Sequence, residues 1–280
     1  MNKLLAIFEL MRLNKPIGIY LLLWPALLAL VISTNGDFMY SHLLIIIIGS
    51  ILVRSAGCVI NDIWDKDLDG GVKRTKTRPI PSKKLSISES WAVFVALGAL
   101  SLVLLSLTNT NTIFISICFG FMIVLYPLTK RFFIGPQIFL GLTFNPTIIV
   151  YAITNELNNP TMVFLYLAVA AKTIAFDSFY GLCDIEDDKK LGIHSTPLWW
   201  GSKTLLIIAI LQFAVISFLM VVGFKAELSS TWYIGIILLS SFYFYQHRLA
   251  SQKNFLLAFK NNHWASLYLL FLSVFCFLII

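Results

Sequence analysis

Long apolar runs recur along the whole chain and set the first constraint on its fold. A helix of about 20 apolar residues crosses a bilayer, with a short limit of ~17. Only 12% of the 280 residues are charged, against roughly 25% in soluble domains, and no polar linker separates the runs. The sequence therefore predicts an all-α, multi-pass membrane bundle of about nine helices, forming one domain over residues 1–280. The runs cover residues 17–34, 42–60, 91–108, 112–129, 136–154, 161–180, 202–223, 229–246 and 264–280.

The basic residues indicate which helix ends face the cytoplasm. Of the 21 Lys and Arg, all except Arg54, Lys172 and Lys225 lie in the N-terminal segment or in the loops after even-numbered spans. By the positive-inside rule these segments are cytoplasmic. Residues 1–15 have neither a signal-peptide cleavage site nor the features of a mitochondrial presequence. We therefore expect an interfacial N-terminal helix and a bacterial inner-membrane protein with its active site on the cytoplasmic side.

The net charge of +7 does not predict nucleic-acid binding, because the bases are spread over juxtamembrane loops with no basic domain. Contact with anionic lipid headgroups explains most of them, so membrane lipid is the expected partner. The four cysteines form no CxxC pattern, and the sequence indicates neither a disulfide framework nor a zinc site.

Nine of the 14 acidic residues fall in two short stretches on the predicted cytoplasmic side. They are Asp62, Asp65, Asp67 and Asp69, then Asp177, Asp184, Glu186, Asp187 and Asp188. At about 100° per residue, a continuous helix through each stretch gathers a set of polar side chains on one face. These sets are Asn61, Asp62, Asp65 and Asp69 in the first, and Asp177, Tyr180, Asp184 and Asp188 in the second. Asp67 and Glu186 point elsewhere.

Crowded carboxylates repel one another, so two such faces across a cavity require cations. Oxygen ligands from one or two carboxylates suit Mg²⁺, which completes its shell with water and substrate phosphates. Basic side chains bind phosphate oxygens, and Lys130 is expected only to anchor the end of span four. The pattern predicts a diphosphate site bridged by Mg²⁺, unless the acids and bases simply pair in solvated loops. The expected diphosphate ligands are Lys73, Arg74, Arg78 and Arg131.

Other ionisable and aromatic residues are expected near this site. Arg54 lies inside span two, where a charge costs at least ~2.5 kcal/mol, so it should either pair with an acid or bind a substrate carboxylate. Arg12 is a second candidate for a substrate carboxylate, or an interfacial anchor. Asp177 is expected to orient the second acidic stretch. Tyr126 and Tyr180 are the aromatic residues placed to contact an allylic cation.

Several segments together resemble one family. They are KPIG with LLLWP (15–25), RSAGCVIND (54–62), VKRTKTRPIPS (72–82), YPLTKR (126–131) and AFDSFYGLCDIEDDKKLGIHST (175–196), with the paired patterns NDxxDxxxD and YxxxDxxxD. Over about residues 10–200 the chain resembles the UbiA family of intramembrane aromatic prenyltransferases. Within that family it looks most like the bacterial branch that prenylates 4-hydroxybenzoate for ubiquinone.

The resemblance implies a central cavity that is capped by cytoplasmic loops and open sideways to lipid. It implies Mg²⁺-dependent transfer of a polyprenyl group from polyprenyl diphosphate to the ring carbon ortho to the hydroxyl of 4-hydroxybenzoate. It also suggests association with other quinone-biosynthesis enzymes. The implied metal ligands are Asn61, Asp62, Asp65, Asp69, Asp184 and Asp188. The implied catalytic residues are Asp65, Asp69 and Asp184, the last polarising the phenol. The implied acceptor contacts are Arg54, Arg12 and Tyr180, supported by Asp177 and Tyr126.

Two other functions fit part of the pattern. Haem O synthase and other quinone prenyltransferases share the paired motifs, whereas LLLWP, RSAGCV and GIHST favour the 4-hydroxybenzoate branch. A transporter or channel also uses charges within the membrane, but here the acids cluster at one rim and few ionisable groups line a path across. The sequence does not give the prenyl chain length.

Overall fold

The computed structural model describes residues 3–72 and 74–278, and these ranges contain no β-strand. Thirteen α-helices occur in them. They are α1 (Lys3–Leu10), α2 (Ile17–Ser33), α3 (Tyr40–Trp64), α4 (Ile87–Leu105), α5 (Thr110–Thr129), α6 (Pro136–Thr143), α7 (Thr147–Ile153), α8 (Thr161–Leu182), α9 (Ile185–Leu191), α10 (Thr196–Trp200), α11 (Thr204–Lys225), α12 (Ser230–Ser251) and α13 (Phe255–Leu278). The predicted all-α fold is confirmed.

The helices lie where the apolar runs predict spans. Seven segments of the described chain are long and apolar enough to cross a membrane. They are α3, α4, α5, α6 with α7, α8, α10 with α11, and α13. Of the two remaining predicted spans, α2 is apolar but has only 17 residues, and α12 has 22 residues but is more polar. The chain is a multi-pass membrane protein.

Helix α8 stands at the centre of the bundle and packs most extensively against α11, with further contacts to α6 and α13. The largest hydrophobic cluster joins α8 to α2, α7, α11, α12 and α13. By contrast, α4 packs mainly on α3, and only 11% of its apolar window is buried, with 17% for α5. One side of the bundle is therefore closed, and the side formed by α4 and α5 is loosely packed.

The fifth predicted span is broken between α6 and α7. Pro146 disfavours the helical conformation in the residue before it, so the helix stops ahead of Asn145. The Asn145 side chain replaces helical hydrogen bonds: its Oδ1 accepts from the Thr147 amide at 3.2 Å, and its Nδ2 donates to the Tyr166 carbonyl at 2.9 Å. The break leaves Phe144 outside both helices and in the wall of a cavity.

Neither acidic stretch is the single continuous helix that the sequence suggested. Helix α3 ends at Trp64, and turns follow up to Val72. In the second stretch α8 ends at Leu182 and the chain restarts as α9 at Ile185. The first turn of α9 contains three acidic residues, and negative side chains stabilise a helix N-terminus, which favours a new helix here. Both stretches still reach the same cavity.

Helix α1 lies across the ends of α3 and α4. Leu10 is buried among residues of those helices, whereas Leu5 and Phe8 are exposed. Lys84 forms an ion pair with Glu9 at 3.0 Å and fixes α1 beside the first acidic stretch. One packed face and one exposed apolar face agree with the predicted interfacial helix.

Candidate active site

A cavity of about 1380 Å³ lies between the two sides of the bundle. Its polar end is lined by the segment after α1 and by both acidic stretches, and its apolar walls come mainly from α3, α4 and α5. Leu102 of α4 and Phe121 of α5 line the cavity, and 59% and 67% of their surfaces are exposed. The cavity therefore opens sideways between α4 and α5, towards the bilayer.

Thirteen of the fifteen predicted site residues line this cavity. They are Arg12, Arg54, Asn61, Asp62, Asp65, Asp69, Arg74, Arg78, Tyr126, Asp177, Tyr180, Asp184 and Asp188. Lys73 lies outside the described residues. Arg131 is exposed and outside the lining, and its Nη2 donates to the Trp64 carbonyl at 2.6 Å. Its position at the C-terminal end of α3, where free carbonyls attract cations, keeps it away from the predicted diphosphate site.

Two arginines hold the first acidic stretch together. Arg78 donates through Nη1 to Asp62 Oδ1 at 2.9 Å and to Asp69 Oδ2 at 2.8 Å. Arg12 donates through Nη2 to both oxygens of Asp62 at 2.8 Å. Asp62 is thus fully engaged by cations, which disfavours its predicted role as a metal ligand. Among the described residues Arg78 donates through Nη1 only, so its Nε and Nη2 can reach another acceptor.

Asp65 is almost completely buried and keeps one oxygen unused. Lys130 and the Asn61 amide, at 3.1 Å, both donate to Asp65 Oδ2, whereas Oδ1 has no hydrogen-bond partner among the described residues. Burial raises the pKa of the Asp65 carboxyl, and the Lys130 ammonium offsets part of this increase. Lys130 was expected to be a membrane anchor and is instead a site residue. In the segment YPLTKR, nothing in the sequence shows that Lys130 and not its neighbour Arg131 reaches the cavity.

Arg74 follows the first acidic stretch in the chain and binds the second. Its Nε and Nη2 donate to the two oxygens of Asp184, the first at 3.0 Å. Its Nη1 donates to the Tyr180 hydroxyl, and the guanidinium lies 4.4 Å from the centroid of the Tyr180 ring. Asp188 follows one turn later in α9. Burial raises the pKa of its carboxyl to about 6, and the negative charge of Asp184 contributes.

Arg54 is the one cavity arginine without an ion pair or hydrogen bond among the described residues. Its guanidinium lies 5.2 Å from the centroid of Phe144 and close to Gly18. Asp177 and Tyr126 line the same cavity as Arg54, and Asp177 lies within the electrostatic influence of Arg54, Arg74, Asp184 and Asp188. That Asp177 orients the second acidic stretch stays a prediction. Sequence reasoning missed Phe144, whose only signal was the helix-breaking FNP.

The donor set fits Mg²⁺. Among the described residues, no three Asp, Glu, His or Cys side chains lie close enough to enclose a metal ion. Mg²⁺ commonly takes one or two carboxylates and completes its shell with water and substrate phosphates. The buried, unpartnered Oδ1 of Asp65 offers such a ligand, since a buried carboxylate oxygen normally has a partner.

Carboxylates and bases at the polar end of a lipid-open cavity, inside a multi-pass helical bundle, define an intramembrane enzyme with a phosphate site. The sequence matches the model of the UbiA prenyltransferase family over residues 22–275, and the chain belongs to this family. The predicted resemblance is confirmed.

Relatives and solved structures agree with this membership. The chain is 40% identical over 265 residues to the 4-hydroxybenzoate octaprenyltransferase of Pseudomonas aeruginosa (strain LESB58), covering 92% of this chain and 89% of that protein. It is 38% identical to the protein of the same name from Francisella tularensis subsp. novicida, covering 98% and 99%. An apo UbiA homologue from Aeropyrum pernix K1 has the same fold, with a TM-score of 0.79, 21% identity, and coverage of 90% and 94%. A UbiA homologue from Archaeoglobus fulgidus bound to GPP and Mg²⁺ has a TM-score of 0.75, 17% identity, and coverage of 98% and 100%.

Proposed function

We propose that this protein transfers a polyprenyl group from a polyprenyl diphosphate to 4-hydroxybenzoate, at the ring carbon ortho to the hydroxyl, in ubiquinone biosynthesis. The observation that carries the proposal is one cavity with three parts: acids and bases at its polar end, an opening to lipid, and an arginine free to bind a carboxylate. The names of the two bacterial relatives support the choice of acceptor. The basic loops support a cytoplasmic position for the polar end, and we propose that the membrane is a bacterial inner membrane.

The polar end binds the diphosphate of the donor. Arg78 offers its Nε and Nη2 to phosphate oxygens, and Lys130 adds a charge beside the open oxygen of Asp65. Asp65, Asp69 and Asp188 are the best metal ligands, because none of them is enclosed by arginines in the way that Asp62 is. Mg²⁺, when bound, neutralises charge on the leaving diphosphate, a contribution worth several kcal/mol.

The remaining cavity orients the two organic partners. The prenyl chain lies along the apolar walls of α3, α4 and α5 and leaves towards the bilayer past Leu102 and Phe121. Arg54 binds the carboxylate of 4-hydroxybenzoate, which directs the phenol towards the acids. The allylic C–O bond breaks, a C–C bond forms at the ring carbon ortho to the hydroxyl, and that carbon loses its proton.

Asp184 is the proposed base for this step. It lies beside Tyr180 and is oriented by Arg74 through two hydrogen bonds, so its carboxylate is fixed next to the face of an aromatic ring. A fixed carboxylate within reach of the phenol increases the nucleophilicity of the ring by accepting the hydroxyl hydrogen.

Prenyl transfer in membranes containing the protein tests the proposal. Geranyl diphosphate and 4-hydroxybenzoate should give a prenylated product with Mg²⁺ and none with EDTA. D65A should lose activity, whereas D67A is the matched control because Asp67 is exposed and outside the cavity. Transfer only to a naphthoate or to haem would support a prenyl-transfer site but would reject 4-hydroxybenzoate as the acceptor. Absence of transfer to any acceptor would reject the reaction.

A further inference from the structure

Gly18 and Arg54 meet in the wall of the cavity. Gly18 lies in the first turn of α2, and Arg54 lies in the interior of α3. A Cβ atom built on Gly18 would lie 2.4 Å from Arg54 Nε, 2.7 Å from Nη2 and 2.9 Å from Cζ. These separations are shorter than van der Waals contact, so no side chain fits at position 18 while the guanidinium keeps its place.

The place of the guanidinium is defined by a second neighbour. Phe144 presents its ring 5.2 Å from Arg54 Cζ, within the range of a cation–π interaction. The break between α6 and α7 sets the position of this ring, because Phe144 belongs to neither helix. Arg54 therefore lies against the backbone of Gly18 and the ring of Phe144. Its five N–H groups have no hydrogen-bond acceptor among the described residues.

The other cavity arginines are engaged by acids. Arg12, Arg74 and Arg78 each form an ion pair of 2.9 Å or less with an aspartate. Arg54 has none within 4.0 Å among the described residues, and Asp177 acts on it only from a longer distance. An unpaired charge inside a membrane span is costly, and a bound carboxylate would offset this cost.

We propose that Gly18 determines acceptor specificity as a positioning residue. Because it has no side chain, the Arg54 guanidinium stays where it binds the carboxylate of the aromatic acceptor. This inference rests on the proposed function. An alanine at position 18 meets only the far end of a flexible side chain, so the fold is retained while the guanidinium is displaced.

Steady-state kinetics of G18A test the proposal, with S240A as the control. Ser240 is an exposed residue in the interior of α12 and lies outside the cavity lining. For G18A we expect the KM for 4-hydroxybenzoate to rise about tenfold, equivalent to about 1.4 kcal/mol. The KM for geranyl diphosphate should stay unchanged, and the preference for 4-hydroxybenzoate over the neutral 4-hydroxybenzamide should shrink. S240A should match the wild type in all three measurements.

A double-mutant cycle separates this role from a general packing effect. In an R54A background, G18A should have no further effect on the KM for 4-hydroxybenzoate, because the clashing group is gone. An equal effect of G18A with and without Arg54, or a KM unchanged in G18A, would overturn the inference while wild-type turnover of 4-hydroxybenzoate upholds the proposed function. Lack of wild-type turnover of 4-hydroxybenzoate would instead reject the proposed function, and the inference with it.

Discussion

Replacing Arg78 by methionine removes the guanidinium that joins Asp62 to Asp69. At separations of 2.8 and 2.9 Å, two unit charges attract by about 6 kcal/mol for an effective dielectric constant of ~20, and desolvation offsets much of this. Asp62 keeps Arg12, whereas Asp69 loses its ion pair. Removing one partner of a buried ion pair leaves an uncompensated charge, which costs about 3–5 kcal/mol. We therefore expect R78M to lose about 3–4 kcal/mol of stability.

Thermal unfolding of the purified protein in detergent measures this loss. With EDTA at pH 7, the Tm of R78M should lie roughly 5–10 °C below that of the wild type. R248M is the matched control, since Arg248 is exposed at the end of α12 and forms no ion pair among the described residues. A wild-type Tm for R78M at pH 7, or an equal loss in R248M, would refute the reasoning.

Three further results are expected. D184N should keep the Mg²⁺ affinity within about twofold but lower kcat by roughly 10²-fold, and near-normal turnover in single-turnover assays would exclude Asp184 as the base. The pKa of Asp188 is raised to about 6, and protons compete with metal for a carboxylate. The Mg²⁺ concentration for half-maximal activity should therefore rise as the pH falls from about 7 to 5, and D188N should remove this dependence. Lys172 is buried, and within the described part of the chain its one hydrogen bond goes to the Ser266 hydroxyl. K172M should therefore keep its activity, and its Tm should equal or exceed that of the wild type, since burying an unpaired charge is costly.

The positions of the spans follow from the sequence because they depend on local composition. A run of about 20 apolar residues has few alternatives to a membrane helix, and the described helices lie on the predicted runs. The break at Pro146 also has a local cause in the proline ring. The restart of the chain at Ile185 was missed, because helical periodicity alone does not show where a helix ends.

The composition of the site was predictable, but its pairings were not. The acidic stretches and the bases after Asp69 indicate a phosphate and metal site by their residue types and spacing alone. The partners of these groups come from distant segments: Arg12 contacts Asp62 across 50 residues, and Lys130 contacts Asp65 across 65. A single sequence contains no information on such contacts, which arise when α1 and the end of α5 meet at the polar end of the cavity.

The opening between α4 and α5, marked by the exposed Leu102 and Phe121, has a kinetic consequence. A substrate that enters from the bilayer is supplied in two dimensions, and its effective concentration is its mole fraction in lipid, not its amount per litre of buffer. The rate should fall when inert lipid is added at constant amounts of enzyme and long-chain donor, whereas a short, water-soluble donor should escape this surface dilution. Under the proposed function the aqueous acceptor would arrive through the polar end, and the two substrates would then obey different concentration scales within one catalytic cycle.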